Sequence, residues 1–238
     1  MQRSHLIIDE GNTCSKFAIV ENGRITDRAT ADNDPDLALS KFVDNHTIGK
    51  IISSSTRRAE VQLPKQIIGI PHIRLSPNLK LPVTLNYKTP ETLGCDRIAA
   101  AAGAVTLFPG KNTLIIDIGT AITVDFVTAD AVFEGGIISP GPAMRAKALN
   151  YFTGKLPLTD IVKNADLQGK NTVEAIQFGI NNGVSFEISG YIESYRKITD
   201  NLNVILTGGY SLLFKRADCQ IEPDLVIFGM NRILEIND

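Results

Sequence analysis

The 238-residue chain carries 24 basic and 26 acidic side chains and a formal net charge of −2, so no positive field is available to hold a nucleic acid or an anionic membrane by electrostatics. Its 43% hydrophobic content supplies a core for one large domain or two smaller ones and argues against global disorder. Three widely spaced cysteines (Cys14, Cys95, Cys219), the lack of any CxxC pair and the lack of a run of roughly 18 apolar residues point to a reducing cytoplasm and away from structural zinc and membrane helices.

From the amino terminus, Met1-Gln2-Arg3-Ser4-His5 runs straight into an apolar stretch without the pattern of a signal peptide, so export is not expected. Leu6 to Thr13 then has an internal echo at Leu114 to Thr120: in both, a β-branched run ends in Asp-x-Gly and restarts as a second strand-like run. The pattern predicts two related halves, each opening on a β-hairpin with Asp9 or Asp117 at its tip. Asn22-Gly23 and Thr128-Ala129-Asp130 supply turns after the hairpins, and Lys50 to Ser55 reads as a short buried strand.

A helix is expected from about Pro90, running through the alanine-rich Ile98 to Ala104 and buried between layers. Phe108-Pro109-Gly110 then breaks the chain, giving expected halves 1–109 and 110–238. Glu134 to Pro142 reads as a glycine-proline loop, either a wall of the site or a plain turn. A second long helix is expected over about Thr172 to Thr199, with Gly179, Gly183 and Gly190 marking close packing, for which a subunit interface is one candidate. Asn203 to Gly209 reads as a strand and glycine turn entering a helix, and Leu225 to Ile236 completes the second half.

Several residue groups suit phosphate chemistry. Each Asp-x-Gly turn offers backbone N–H groups to phosphate oxygens and a carboxylate to a hydrated cation; a single copy would read as an ordinary hairpin turn, but two matched copies favour a polyphosphate grip. Lys16 could reach back to a phosphate or stand as a solvated strand lysine. Gly208-Gly209 leaves room for a ribose or adenine, or is a simple turn. In Leu93-Gly94-Cys95-Asp96-Arg97, the helix start would keep Asp96 ionised and Arg97 could clamp a carboxylate; the alternative is a helix-start acid with a surface ion pair. His5, His46 and His72 fall in no metal-ligand spacing.

Taken in order, Asp9-x-Gly11-Asn12-Thr13 with Lys16, Tyr87-x-x-Pro90-x-x-Leu93-Gly94-x-Asp96-Arg97, Asp117-x-Gly119-Thr120-Ala121-x-Thr123-x-Asp125 and Gly135-Gly136-x-Ile138-x-Pro140-Gly141 resemble the motifs of type III pantothenate kinase. That resemblance implies an α/β fold of two duplicated actin-like (ribonuclease H-like) halves, each a mixed sheet flanked by helices, with a cleft between them. It implies transfer of the ATP γ-phosphoryl group to pantothenate, the first step of coenzyme A synthesis. Asp9, Glu10, Gly11, Asn12, Thr13, Cys14, Ser15 and Lys16 would form the first ATP loop, with Asp9 on the Mg²⁺ side. Thr120 would lie in the second loop, and Gly208 and Gly209 on the adenine side. Asp96 would accept the proton, Asp117 would ligate a monovalent cation (K⁺ or NH₄⁺), and Tyr87, Gly94, Cys95, Asp96, Arg97 and Thr172 would contact pantothenate. A homodimer comes with the resemblance.

Glu10 departs from the pattern, since that position is usually apolar in the family; a carboxylate at a buried strand end needs a partner. Residues 29–76 and 156–170 match no motif. Two rival readings are a phosphatase or another small-alcohol kinase of the same fold, and a catalytically silent nucleotide-binding accessory or regulatory protein.

Overall fold

A computed structural model describes residues 4–237; Met1, Gln2 and Arg3 of the amino-terminal reading lie outside the described residues. The chain divides into two units: one runs to Pro109 and takes back the segment from Asp224, and the other is Gly110–Pro223. The break after Pro109 is where the proline-glycine interruption placed it.

In the first unit β1 (Ser4–Glu10), β2 (Ser15–Glu21) and β3 (Arg24–Ala31) form an antiparallel meander. Asn22 and Gly23, both at positive φ, make the tight turn between β2 and β3. Helix α1 (Pro35–Val43) starts where the Asp34 carboxylate accepts the Leu37 N–H at 3.1 Å and Pro35 occupies the first turn. It leads to β4 (Ile48–Ser55), which lies parallel to β1, and then to β5 (His72–Arg74), giving the order β3-β2-β1-β4-β5. Leu6, Ile8, Phe17 and Ile19 from the strands meet Leu39 and Val43 of α1 in one buried cluster. The two-residue β6 (Thr84–Leu85) and a 3-10 turn at Pro90–Thr92 precede α2 (Cys95–Leu107). The expected helix thus begins five residues late, because Pro90 nucleates only a 3-10 turn before Leu93 turns extended.

The second unit repeats this plan. β7 (Thr113–Ile118), β8 (Ala121–Val127) and β9 (Val132–Pro140) form the meander. After α3 (Pro142–Phe152) and α4 (Thr172–Arg196), β10 (Asn203–Thr207) joins parallel to β7 and β11 (Gln220–Ile221) parallel to β10. The order β9-β8-β7-β10-β11 matches that of the first unit strand for strand. Val184, Ile188 and Ile192 of α4 pack on Leu114, Ile116, Val124 and Leu206 of the sheet.

Four expectations need correction. Residues 134–140 are strand rather than loop: Gly135 and Gly136 sit opposite the bulge between Asp125 and Val127, where any side chain at 136 would strike Asp125. Gly209 does not lead directly into an α-helix; residues 209–214 make a series of turns instead. The last helix, α5 (Leu225–Ile236), belongs to the first unit, not the second. There it packs on α2, with the Cα of Gly103 against the Leu225 carbonyl and that of Gly229 against the Ala99 carbonyl, so a Cβ at either would overlap backbone. Finally, a Cβ at Gly179 or Gly190 would meet nothing within 4 Å, so helix packing within the chain does not explain those two glycines.

Candidate active site

The candidate residues divide between the two units. In the first, Asp9 and Lys16 are direct cross-strand partners in the β1–β2 ladder, and Glu10 pairs with Ser15. Asp9 is therefore a strand residue just before the tip, which is made by residues 11–14 and closed by Gly11 N–H donating to the Cys14 carbonyl at 3.1 Å. Asn12 and Thr13 are exposed, whereas Ser15 is buried. Burial pushes the Asp9 carboxyl up to about 6, and the nearby Asp96 and Glu10 carboxylates add to the rise against the opposing pull of Lys16. Asp9 and Asp96, far apart in sequence, are thus electrostatic neighbours.

Asp96 stands in the first turn of α2, where its Oδ1 accepts the Arg97 N–H at 2.9 Å. A Cβ at position 94 would overlap that same carboxylate oxygen, so Gly94 is what lets Asp96 hold this rotamer. Arg97 is buried, with its guanidinium 5.8 Å from the centroid of the Tyr87 ring, a cation–π arrangement. The Cys95 thiol donates to the Leu75 carbonyl at 3.3 Å, and burial followed by the Asp96 charge raises its pKa; it is a poor nucleophile there.

In the second unit Asp117 pairs with Thr123 near the end of the β7–β8 hairpin, and Gly119 and Thr120 form the tip. Gly208, at φ 88°, lies so close that a Cβ would overlap the Asp117 Oδ1 and the Ile118 backbone. The Tyr210 N–H donates to the Ile118 carbonyl at 2.9 Å, which ties the Gly208-Gly209 turn to the hairpin. Gly141, at the end of the former glycine-proline loop, donates to the Thr120 carbonyl at 3.1 Å. Asp117, Thr120, Gly208 and Gly209 are accordingly one local group. Thr172 opens α4 in this unit and is exposed beside the cap Asn171.

No group of three or more metal-ligating side chains occurs among the described residues. The Asp9 carboxylate at the end of β1 nevertheless offers a hard oxygen donor beside the hairpin turn, which suits a Mg²⁺ carried mainly by phosphates and water. A groove of about 600 Å³ lined by Gly110 to Asn112 and Asp200 to Asn203 contains none of the candidate residues.

The family model of type III pantothenate kinase matches residues 5–194. Curated relatives of that description include one from Cytophaga hutchinsonii, 40% identical with 98% of this chain and 99% of the relative covered. Another, from Phocaeicola vulgatus, is 39% identical at the same coverage of each chain. The chain belongs to the type III pantothenate kinase family. Solved structures similar to it share the actin-like fold at low identity. The activator of 2-hydroxyisocaproyl-CoA dehydratase from Clostridium difficile aligns with TM-score 0.59 at 15% identity over 98% of this chain and 95% of that one. A glucokinase from Streptomyces griseus aligns with TM-score 0.54 at 12% identity over 95% and 97%.

Within this type III pantothenate kinase chain, sequence reasoning missed the partners of Glu10. Its carboxylate, 1% exposed, receives two hydrogen bonds from Arg58, from Nε at 2.9 Å and from Nη2. Arg58 also bonds both Asp36 oxygens, at 2.6 and 3.1 Å, and the two acids hold its pKa above the ordinary arginine value. The available signal was the buried carboxylate itself, which demanded a cation. Also unforeseen was the Glu187 carboxylate of α4, which accepts from Ser139 and Arg145 and so braces the strand end beside Thr120.

Proposed function

We propose that the chain phosphorylates pantothenate with ATP and that the residues above divide the work as follows. Asp96 receives the proton of the pantothenate primary hydroxyl as that oxygen attacks the terminal phosphorus. Phosphoryl transfer needs positioning and charge stabilisation more than a strong base, so a carboxylate held by its own neighbour's N–H is adequate. Arg97, steadied on Tyr87, holds the pantothenate carboxylate by a bidentate pair. The turn from Gly11 to Lys16 and the tip at Thr120 hold the phosphates through backbone N–H groups and the lysine charge, while Gly208 and Gly209 leave room for the nucleoside. Asp9 would hold Mg²⁺, which when bound would neutralise phosphate charge, and Asp117 would be the carboxylate ligand of a monovalent cation, K⁺ or NH₄⁺.

The observation that carries this reading is that the Asp96 charge is felt at Asp9 and helps raise its pKa, which brings the hairpin turn and the start of α2 into one electrostatic neighbourhood in a chain of this family. A homodimer in the cytoplasm completes the proposal. Supporting it, no helix among the described residues is long and apolar enough to cross a membrane. Tyr151 and Phe152, each more than 80% exposed, and Phe186 offer apolar surface on α3 and α4, and Gly179 and Gly190 face open space on the same α4.

The test is phosphopantothenate formation by wild type and Asp96→Asn, with and without K⁺. Near-complete loss of turnover is expected in the variant, with an unchanged circular dichroism spectrum. Turnover equal to wild type would reject Asp96 as the base.

A further inference from the structure

The segment after β4 closes over the first hairpin turn at four points. The Thr56 N–H and hydroxyl both donate to the Glu10 carbonyl, at 2.9 and 3.2 Å. Arg57 Nε donates to the Gly11 carbonyl at 2.6 Å, and Arg58 forks onto the Glu10 carboxylate. The segment is itself shaped by the Ser55 hydroxyl, which accepts the N–H groups of Arg57 and Arg58, each at 3.2 Å. Its far side is tied to α1 through Asp36.

These contacts have a directional consequence. In a trans peptide the C=O and the following N–H point in opposite directions. Pinning the Gly11 carbonyl to Arg57 therefore turns the Asn12 N–H away from the 55–58 segment, to the outer side of the turn. Glu10 is buried and cannot leave its position without carrying an unpaired charge, so Arg58 fixes the strand end from which the turn springs. Arg57 then sets the orientation of the peptide that follows.

We propose that Arg57 and Arg58 are positioning residues for ATP: they hold the Gly11–Asn12 peptide so that its N–H faces the nucleotide phosphates, with Glu10 as the buried anchor. This rests on the reading of Asp9 to Lys16 as the phosphate loop. The chain uses Glu10 to couple that loop to α1 and the end of β4, and the affinity it sets is for ATP alone.

The experiment measures KM for ATP and for pantothenate in Arg57→Met, Arg58→Met, Arg58→Lys and Lys16→Met, alongside thermal unfolding. Arg58→Met is expected to raise KM for ATP at least tenfold, with KM for pantothenate within twofold of wild type and Arg58→Lys in between. Arg57→Met, an exposed site outside the core, gives the same split to a lesser degree and serves if Arg58→Met does not fold. A change in Tm with both KM values unaltered, or a parallel rise of both, would reduce the segment to a structural support and overturn the proposal. Lys16→Met separates the two levels. If it raises KM for ATP while the folded arginine variants do not, only the positioning role fails; if Lys16→Met and every folded arginine variant leave KM for ATP unchanged, the phosphate-loop reading fails and takes the proposal with it.

Discussion

Asp9 should destabilise the fold that holds it, and replacing it with asparagine should show this as a pH-dependent gain in stability. Its carboxyl titrates at about 6 in the folded chain against an ordinary 3.8, chiefly because burial desolvates it and secondarily because Asp96 lies near. The folded state thus holds the proton more tightly than the unfolded one, so the contribution of Asp9 to stability is fully present below 3.8. It is lost as pH rises between 3.8 and about 6, and the loss is complete above that. The difference corresponds to about 3 kcal/mol as an upper limit. Partial solvent access brings the expected figure to about 1–3 kcal/mol.

Asparagine cannot ionise, so Asp9→Asn should unfold about 2–12 °C above wild type near pH 8 for a chain of this size. Only about a third of that advantage should remain near pH 4.5, where the folded wild type keeps its proton. The assay is thermal denaturation by circular dichroism across this range, with phosphopantothenate formation measured in parallel. Activity should vanish in the variant while stability rises, the exchange expected where a functional carboxylate is held out of water. A Tm difference that does not change with pH, or a variant less stable than wild type near pH 8, would refute the argument that burial and Asp96 raise Asp9.

Two further predictions probe the scaffold. Gly208→Ala forces an L-residue to φ 88° and pushes on Asp117, so it should lose about 1–2 kcal/mol from the backbone alone and at least tenfold in kcat; Gly209→Ala, with no protein atom within 4 Å of the added Cβ, should unfold at the wild-type temperature, and equal stability of the two variants would reject the contact. Gly229→Leu drives a side chain into the Ala99 carbonyl of α2 and should cost about 3 kcal/mol or more. Urea unfolding with proteolytic mapping should show the first unit opening before the second, and simultaneous loss of both would refute that assignment.

Much of the fold was legible in the sequence because it is local. The Asp-x-Gly echo predicted two hairpins and hence two related units, and the matched order β3-β2-β1-β4-β5 and β9-β8-β7-β10-β11 bears this out. The Phe108-Pro109-Gly110 break fell at the unit boundary for an equally local reason, since proline and glycine interrupt a helix wherever they stand. Local reasoning misread residues 134–140 because glycine pairs signal loops and bulges alike; the choice fell to the neighbouring strand, where Asp125 needed the space.

The amino-acid order by itself determined the family, the two hairpin turns, and which acids and glycines were available for the site. Tertiary structure alone decided that α5 returns to the first unit, that Asp96 sits within electrostatic reach of Asp9, that Gly208 lies on Asp117, and that Glu10 is answered by Arg58. Periodicity and turn chemistry act over a few residues and leave a trace in any short window. A helix docking or a charge pairing joins positions tens to hundreds of residues apart, and its partner is chosen by the space and the field that the folded chain creates.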